Sequence, residues 1–266
     1  MPFLERDGLK FNFGEFGSGT PLIFSHGLGG NLTHVRDLFG PIQGFRIILY
    51  DNRGHGETSG DPDPSRLNFD SMADDMAAVL DRAEVDSAIV GGVSMGAGVS
   101  IAFWRRHPER VRALILSRPA WLNSPYPANL RVLGDISKLF DELGAEAALC
   151  RVPEIEAFAS MRRDFPETAR SLMQNLESAR DSRVATVYRS ILASVPFTDF
   201  NELQNINIPA LVLANQNDPI HPFDLAERLA EAIPRSVFRE FPSKNQGAEE
   251  HQQGFRQRVK EFLDNL

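Results

Sequence analysis

Short continuous apolar runs recur along the chain, and between them apolar residues return every three or four positions. The runs at 21–25, 45–50, 87–93, 111–116, 210–214 and 237–241 read as strands buried on both faces. Residues 70–83 place Met72, Met76, Val79 and Leu80 on one side of a helical period, and 223–233 and 249–263 repeat the pattern. A shorter helix is expected over 32–38 behind Asn31 as its cap. At the N-terminus, 3–5 and 9–16 read as two strands joined by the Asp7-Gly8 turn.

Strands alternating with helices predict an α/β fold with a mostly parallel sheet covered on both faces. The alternation is interrupted once. From Trp121 the pattern is helical, with prolines at 125, 127, 153 and 166 and arginines at 131, 151, 162, 163, 170, 180, 183 and 189. The strand pattern resumes only at 210–214. The expected organisation is therefore a core of 1–120 and 199–266 with a helical cap, 121–198, inserted between its halves. Most cap arginines are expected to face solvent, and one or two to face a pocket.

Bulk properties narrow the function. The 266 residues suffice for one α/β domain with an insert, and 42% hydrophobic residues mark an ordinary globule. A formal charge of -8 argues against nucleic acid or an anionic membrane as partner. Cys150 is the lone cysteine, so an internal disulfide and a cysteine-based zinc site are both excluded. No signal-peptide pattern and no apolar stretch of membrane-spanning length are present. These features lead us to expect a cytoplasmic protein, monomeric or homodimeric, that acts on a small molecule.

The chemistry gathers where strands end. Gly92-Val93-Ser94-Met95-Gly96 follows one strand and precedes a small-residue helical pattern over 97–104. A serine at so sharp a turn requires glycine two residues to either side, because a Cβ there would strike the facing chain. The Met95 amide, at the helix start, would then point at whatever bonds to Ser94. His26-Gly27-Leu28-Gly29-Gly30 follows another buried strand, and its Leu28 amide is a candidate second donor to an oxyanion. Asp51 and Arg53, in the polar turn 51–56, are expected to tie that loop together.

A serine hydroxyl needs a base, and the base needs a carboxylate to fix its tautomer. Asp218, in a turn pinned by Pro219 and Pro222, is the candidate acid. His251, beyond the last strand, is the preferred base, with His221 and His34 as alternatives. His221 ranks lower because two side chains on one tight turn seldom share the required hydrogen bond. Arg118 and Trp121, just past the strand at 111–116, are read as substrate-facing; the alternative for Arg118 is an ion pair with the cap.

Taken together, His26-Gly27-Leu28-Gly29, 51–56, Gly92-Val93-Ser94-Met95-Gly96 and Asn217-Asp218-Pro219 resemble the α/β-hydrolase superfamily in its cap-bearing single-domain branch. The resemblance implies an eight-stranded sheet, a nucleophile–acid–histidine order matched by Ser94, Asp218 and His251, and no metal or organic cofactor. It implies hydrolysis of a small ester, thioester or lactone; cleavage of carbon–carbon bonds in ring-cleavage products is the alternative. One departure stands out. Relatives usually carry a Gly-His pair soon after the last strand, whereas Pro242-Ser243-Lys244-Asn245-Gln246-Gly247-Ala248 holds no histidine. An incomplete triad would favour a third reading, a catalytically weak ligand-binding protein.

Overall fold

The computed structural model describes residues 4–179 and 183–266. The expected strand start at Phe3 and the arginine at 180 lie outside them. The first half runs β1 (Leu4–Arg6), β2 (Leu9–Phe11), β3 (Phe13–Gly17), β4 (Thr20–Ser25), α1 (Leu32–Phe39), β5 (Phe45–Tyr50), α2 (Phe69–Arg82), β6 (Ala88–Val93), α3 (Met95–Arg106) and β7 (Val111–Ser117). Between β7 and the next strand come α4 (Arg131–Leu143), α5 (Ala145–Arg151), α6 (Glu156–Asp164), α7 (Pro166–Ala179), α8 (Arg183–Leu192) and α9 (Phe200–Leu203). The chain then closes with β8 (Ala210–Ala214), α10 (Phe223–Ala232), β9 (Ser236–Glu240) and α11 (Ala248–Leu263).

The main sheet has seven strands in the order β3-β5-β4-β6-β7-β8-β9. Only β3 runs antiparallel to its neighbour, β5. The eighth strand implied by the resemblance is not part of this sheet, because β1 and β2 pair with each other as a separate hairpin. The expected strand over 9–16 is accordingly split at Asn12, whose carbonyl accepts from the Asp51 amide at 2.9 Å.

Strand side chains alternate between two apolar layers, as a period of two demands. Leu22, Phe24, Ile47, Leu49, Ile115, Leu211 and Leu213 pack with Val35 and Phe39 of α1 and Phe255, Val259 and Leu263 of α11. The intervening Ile23, Ile48, Val90, Leu114 and Val212 face the layer that holds Met72 and Met76 of α2, Val99 and Phe103 of α3, and Leu229 of α10. Residues of the helical excursion, among them Leu133, Leu176 and Ile191, extend this second layer. Trp121 belongs to it as well, 1% exposed and edge-on to Phe69 at 5.7 Å between ring centres.

Strand order fixes where a site can form. From β4 the chain steps to β5 on one side, and β6 returns to the other side of β4. Loops leaving the carboxyl ends of β4 and β6 therefore diverge and leave a crevice between them. The His26 loop follows β4 and Ser94 follows β6, so adjacent strands deliver both to that crevice.

The polar turn after β5 anchors this end of the sheet. Arg53 reaches both Asp75 carboxylate oxygens at 2.6 Å, with the two side chains 1% and 0% exposed. Asp51 accepts from the Leu32 amide at 2.6 Å and the Glu57 amide at 2.9 Å, tying the turn to α1. Arg53→Met would leave the Asp75 carboxylate buried with, among the described residues, only Arg6 at 3.2 Å as a charged partner. We expect it to lower the unfolding free energy by about 3 kcal/mol in urea titration; a loss below about 1 kcal/mol would mean that this pair is not an anchor.

Candidate active site

The turn from β6 into α3 is as tight as its glycines require. Ser94 sits at φ 57°, ψ −115°, a left-handed conformation costly for a residue with a side chain. A Cβ on Gly92 would overlap the Gly96 carbonyl group, and one on Gly96 would overlap the Ser25 carbonyl. The Ser94 amide donates to Ser117 O at 2.9 Å, tying the turn to β7. Arg118 (φ 46°), after β7, and Asn217 (φ 57°), after β8, are also left-handed. Strained backbone thus follows the ends of three neighbouring strands, around one point.

His221, not His251, meets the serine. His221 Nε2 lies 2.9 Å from Ser94 Oγ, and its Nδ1 lies 2.8 Å from Asp218 Oδ2. The Asp218 turn makes this possible in so few residues. Asp218 Oδ1 accepts from the Ile220 amide at 3.2 Å and the His221 amide at 3.3 Å, which curls the chain around the carboxylate. With Pro219 and Pro222 on either side, the curl brings the ring of His221 back over Oδ2. Because ionised Asp218 only accepts, Nδ1 carries the proton and Nε2 presents its lone pair to the Ser94 hydroxyl.

The expectation for His251 fails because α11 begins at Ala248 and takes the residue into its first turn. There Nδ1 donates to Pro242 O at 2.8 Å, and the ring stacks on Phe241 at 5.0 Å. His34 projects from α1 into the cavity wall, and His26 braces its own loop, donating to Gly27 O at 2.8 Å and accepting from the Asn52 amide at 3.0 Å. A Cβ on Gly27 would lie 3.3 Å from Ser94 Cβ, so the loop bearing Leu28 passes directly beside Ser94. Met95 opens α3, where the first four amides have no acceptor inside the helix.

A cavity of about 460 Å³ opens above these groups, reached by Ser94, His221, Leu28, Arg118 and Arg170. Arg170 of α7 is the arginine of the 121–198 segment that lines the cavity, with its guanidinium paired to Glu167 at 2.5 Å. Arg118 turns to Asp218, with its guanidinium 3.4 Å from Oδ2, and so makes neither the expected cap ion pair nor a contact made solely toward the cavity. Trp121 does not reach the cavity: its indole is part of the core against Phe69, which corrects its reading as substrate-facing.

Burial pushes the His221 imidazolium below its ordinary 6.5, with help from the charges of Arg118 and Lys244 and against the pull of Asp218. Burial acts on Asp218 in the opposite sense, yet the neighbouring imidazole, Arg118 and the Ile220 amide together hold its carboxyl well below the usual carboxylate range. Burial, then Arg118, pushes His251 down to about 3. The pair Asp218–His221 is thus a carboxylate beside a neutral imidazole at neutral pH, poised to accept a proton.

These features define a class. A family model described as alpha/beta hydrolase fold matches residues 20–245, and the chain belongs to that family. It is 28% identical over 246 residues to the AB hydrolase superfamily protein YisY of Bacillus subtilis, covering 88% of this chain and 87% of that protein. To 3-oxoadipate enol-lactonase 2 of Acinetobacter baylyi it is 26% identical over 267 residues, covering 98% and 95% of the two chains. The crystal structure of the enol-lactonase from Burkholderia xenovorans shares its fold with a TM-score of 0.78 at 21% identity, over 99% of this chain and all 100% of that one. The chain is a hydrolase. No helix among the described residues is long and apolar enough to cross a membrane.

The lowered pKa of His221 has a kinetic consequence. Only the neutral ring can take a proton, so if His221 is the base, kcat/KM for an ester should rise with pH and level off with a midpoint below 6.5. A midpoint at or above about 7 would mean that the burial and the two nearby cations do not govern this base.

Proposed function

We propose that the chain is a serine hydrolase of a small ester, thioester or lactone and works through an acyl-enzyme. One observation carries this reading: the unbroken line of contacts from Ser94 Oγ through His221 to Asp218, at 2.9 and 2.8 Å. Ser94 attacks the substrate carbonyl while His221 Nε2 takes its proton. Asp218 holds the tautomer and balances the imidazolium that forms. Arg118, bound to the same carboxylate, keeps it ionised and aimed. The amides of Met95 and Leu28 are the donors we assign to the oxyanion, each worth about 3 kcal/mol of barrier. His221 then passes the proton to the leaving group. Water repeats the sequence on the acyl-enzyme and frees Ser94.

We read 121–198 as the cap over this chemistry. Leu133, Glu167, Arg170 and Leu172 from that segment share the cavity with Ser94, so it sets which acyl groups fit. The likeness to enol-lactonases makes a lactone a natural member of the substrate class. Of the two other readings, one loses its motive. A weak binding protein was suggested by the missing Gly-His pair, and His221 supplies the imidazole that pair would have brought. Carbon–carbon cleavage of ring-cleavage products, suggested by Arg118 or a cap arginine as a carboxylate anchor, stays the alternative, because Arg118 lines the cavity even while it pairs with Asp218.

Turnover of p-nitrophenyl acetate and butyrate tests the assignment. Ser94→Ala and His221→Ala should each lower kcat by about 10⁴-fold or more, while His251→Ala stays within about tenfold of the unaltered protein. Equal losses in the two histidine variants would overturn the choice of base. Unchanged turnover in Ser94→Ala would overturn the serine mechanism.

A further inference from the structure

Where relatives are expected to carry a Gly-His pair, the loop after β9 brings a lysine to the cavity. Lys244 lines the same wall as Ser94 and His221, and its ammonium donates to Ser171 Oγ at 3.2 Å. The other two cations on that wall already have carboxylates: Arg118 has Asp218 at 3.4 Å, and Arg170 has Glu167 at 2.5 Å. Among the described residues no carboxylate comes within ion-pair distance of Lys244. Burial, together with the charge of Arg118, pushes its ammonium down to about 8 against the pull of Asp218 and Glu167, so it remains mostly protonated at neutral pH.

A largely desolvated ammonium with one hydroxyl as partner is costly to keep unless something supplies the missing charge. A lysine that served only the loop would extend toward water. It turns inward instead, into a cavity sized for a small molecule. Asp37, the third carboxylate on that wall, faces Arg36 at 4.0 Å, so Lys244 is the cavity cation that a single negative charge would match. A carboxylate fits that count and accepts from the ammonium and from the Ser171 hydroxyl, whereas a phosphate dianion would leave a buried negative charge unbalanced.

We propose that Lys244 anchors a carboxylate borne by the substrate, holding it in the cavity while the ester or lactone carbonyl meets Ser94. This inference rests on the serine-hydrolase reading and names its substrate class: small carboxylic esters or lactones that carry a second, free carboxylate.

Monoethyl succinate, glutarate and adipate, set against ethyl butyrate, valerate and hexanoate in a pH-stat, test it with matched chain lengths. At least one anionic member should exceed its neutral mate in kcat/KM by about tenfold or more. Lys244→Met should erase most of that preference, chiefly through KM, and Lys244→Arg should keep it. No preference in the unaltered protein, or a preference that survives Lys244→Met, overturns the anchor. Glutarate binding by calorimetry separates this outcome from failure of the serine mechanism. Even if Ser94→Ala leaves ester turnover unchanged, glutarate should bind at least tenfold more weakly to Lys244→Met than to the unaltered protein. Equal affinities overturn the proposal.

Discussion

A single hydrogen bond, from the Ser94 hydroxyl to His221 Nε2 at 2.9 Å, is what the surrounding architecture holds in place. Its two ends come from distant parts of the chain and are fixed by different means. Ser94 is held by a left-handed turn that only the flanking glycines permit, wedged between Ser25 O and the end of β7. His221 is held by the carboxylate it bonds, because Asp218 uses one oxygen to curl its own turn and the other to grip the ring. The sheet supplies the rigidity beneath both. Two apolar layers clamp β6 and β8, so the strand ends cannot drift apart without opening the core.

The electrostatics around that bond are arranged to keep the imidazole neutral but ready. Burial and two cations, Arg118 and Lys244, oppose protonation, while Asp218 favours it. Arg118 serves both sides of this balance: it disfavours charge on His221 and stabilises charge on Asp218. Each such group therefore affects geometry and proton affinity together. A substitution at Arg118 would disturb the aim of Asp218 as well as the basicity of the ring.

Most of the fold was legible in the sequence, because apolar runs and helical periods report burial directly. The strand at 45–50 and the helix from Asn31 fall where the pattern puts them, and elsewhere element ends shift by a residue or two. The sheet was harder to count. Whether the first strands join it depends on pairing partners, which periodicity does not encode, and β1 and β2 pair with each other. At the site, the glycine spacing around Ser94 carried a steric reason that the coordinates share. The histidine at the serine is His221 rather than the preferred His251. Closeness in sequence argues against His221, yet an aspartate that caps its own turn brings residue i+3 back over its free oxygen. The prolines flanking Asp218 and His221 were the available signal, since they stiffen that curl. Position after a strand does not reveal that Trp121 turns into the core, while Arg118, placed by the same rule, lines the cavity and also pairs with Asp218.

The central claim is that Ser94 is a nucleophile activated by His221. The most direct measurement is the rate at which a fluorophosphonate labels the protein, with the adduct located by mass spectrometry. The account predicts one adduct, on Ser94, forming rapidly in the unaltered protein and in His251→Gln but orders of magnitude more slowly in His221→Gln. Labelling elsewhere, or equal rates in His221→Gln and the unaltered protein, would contradict it.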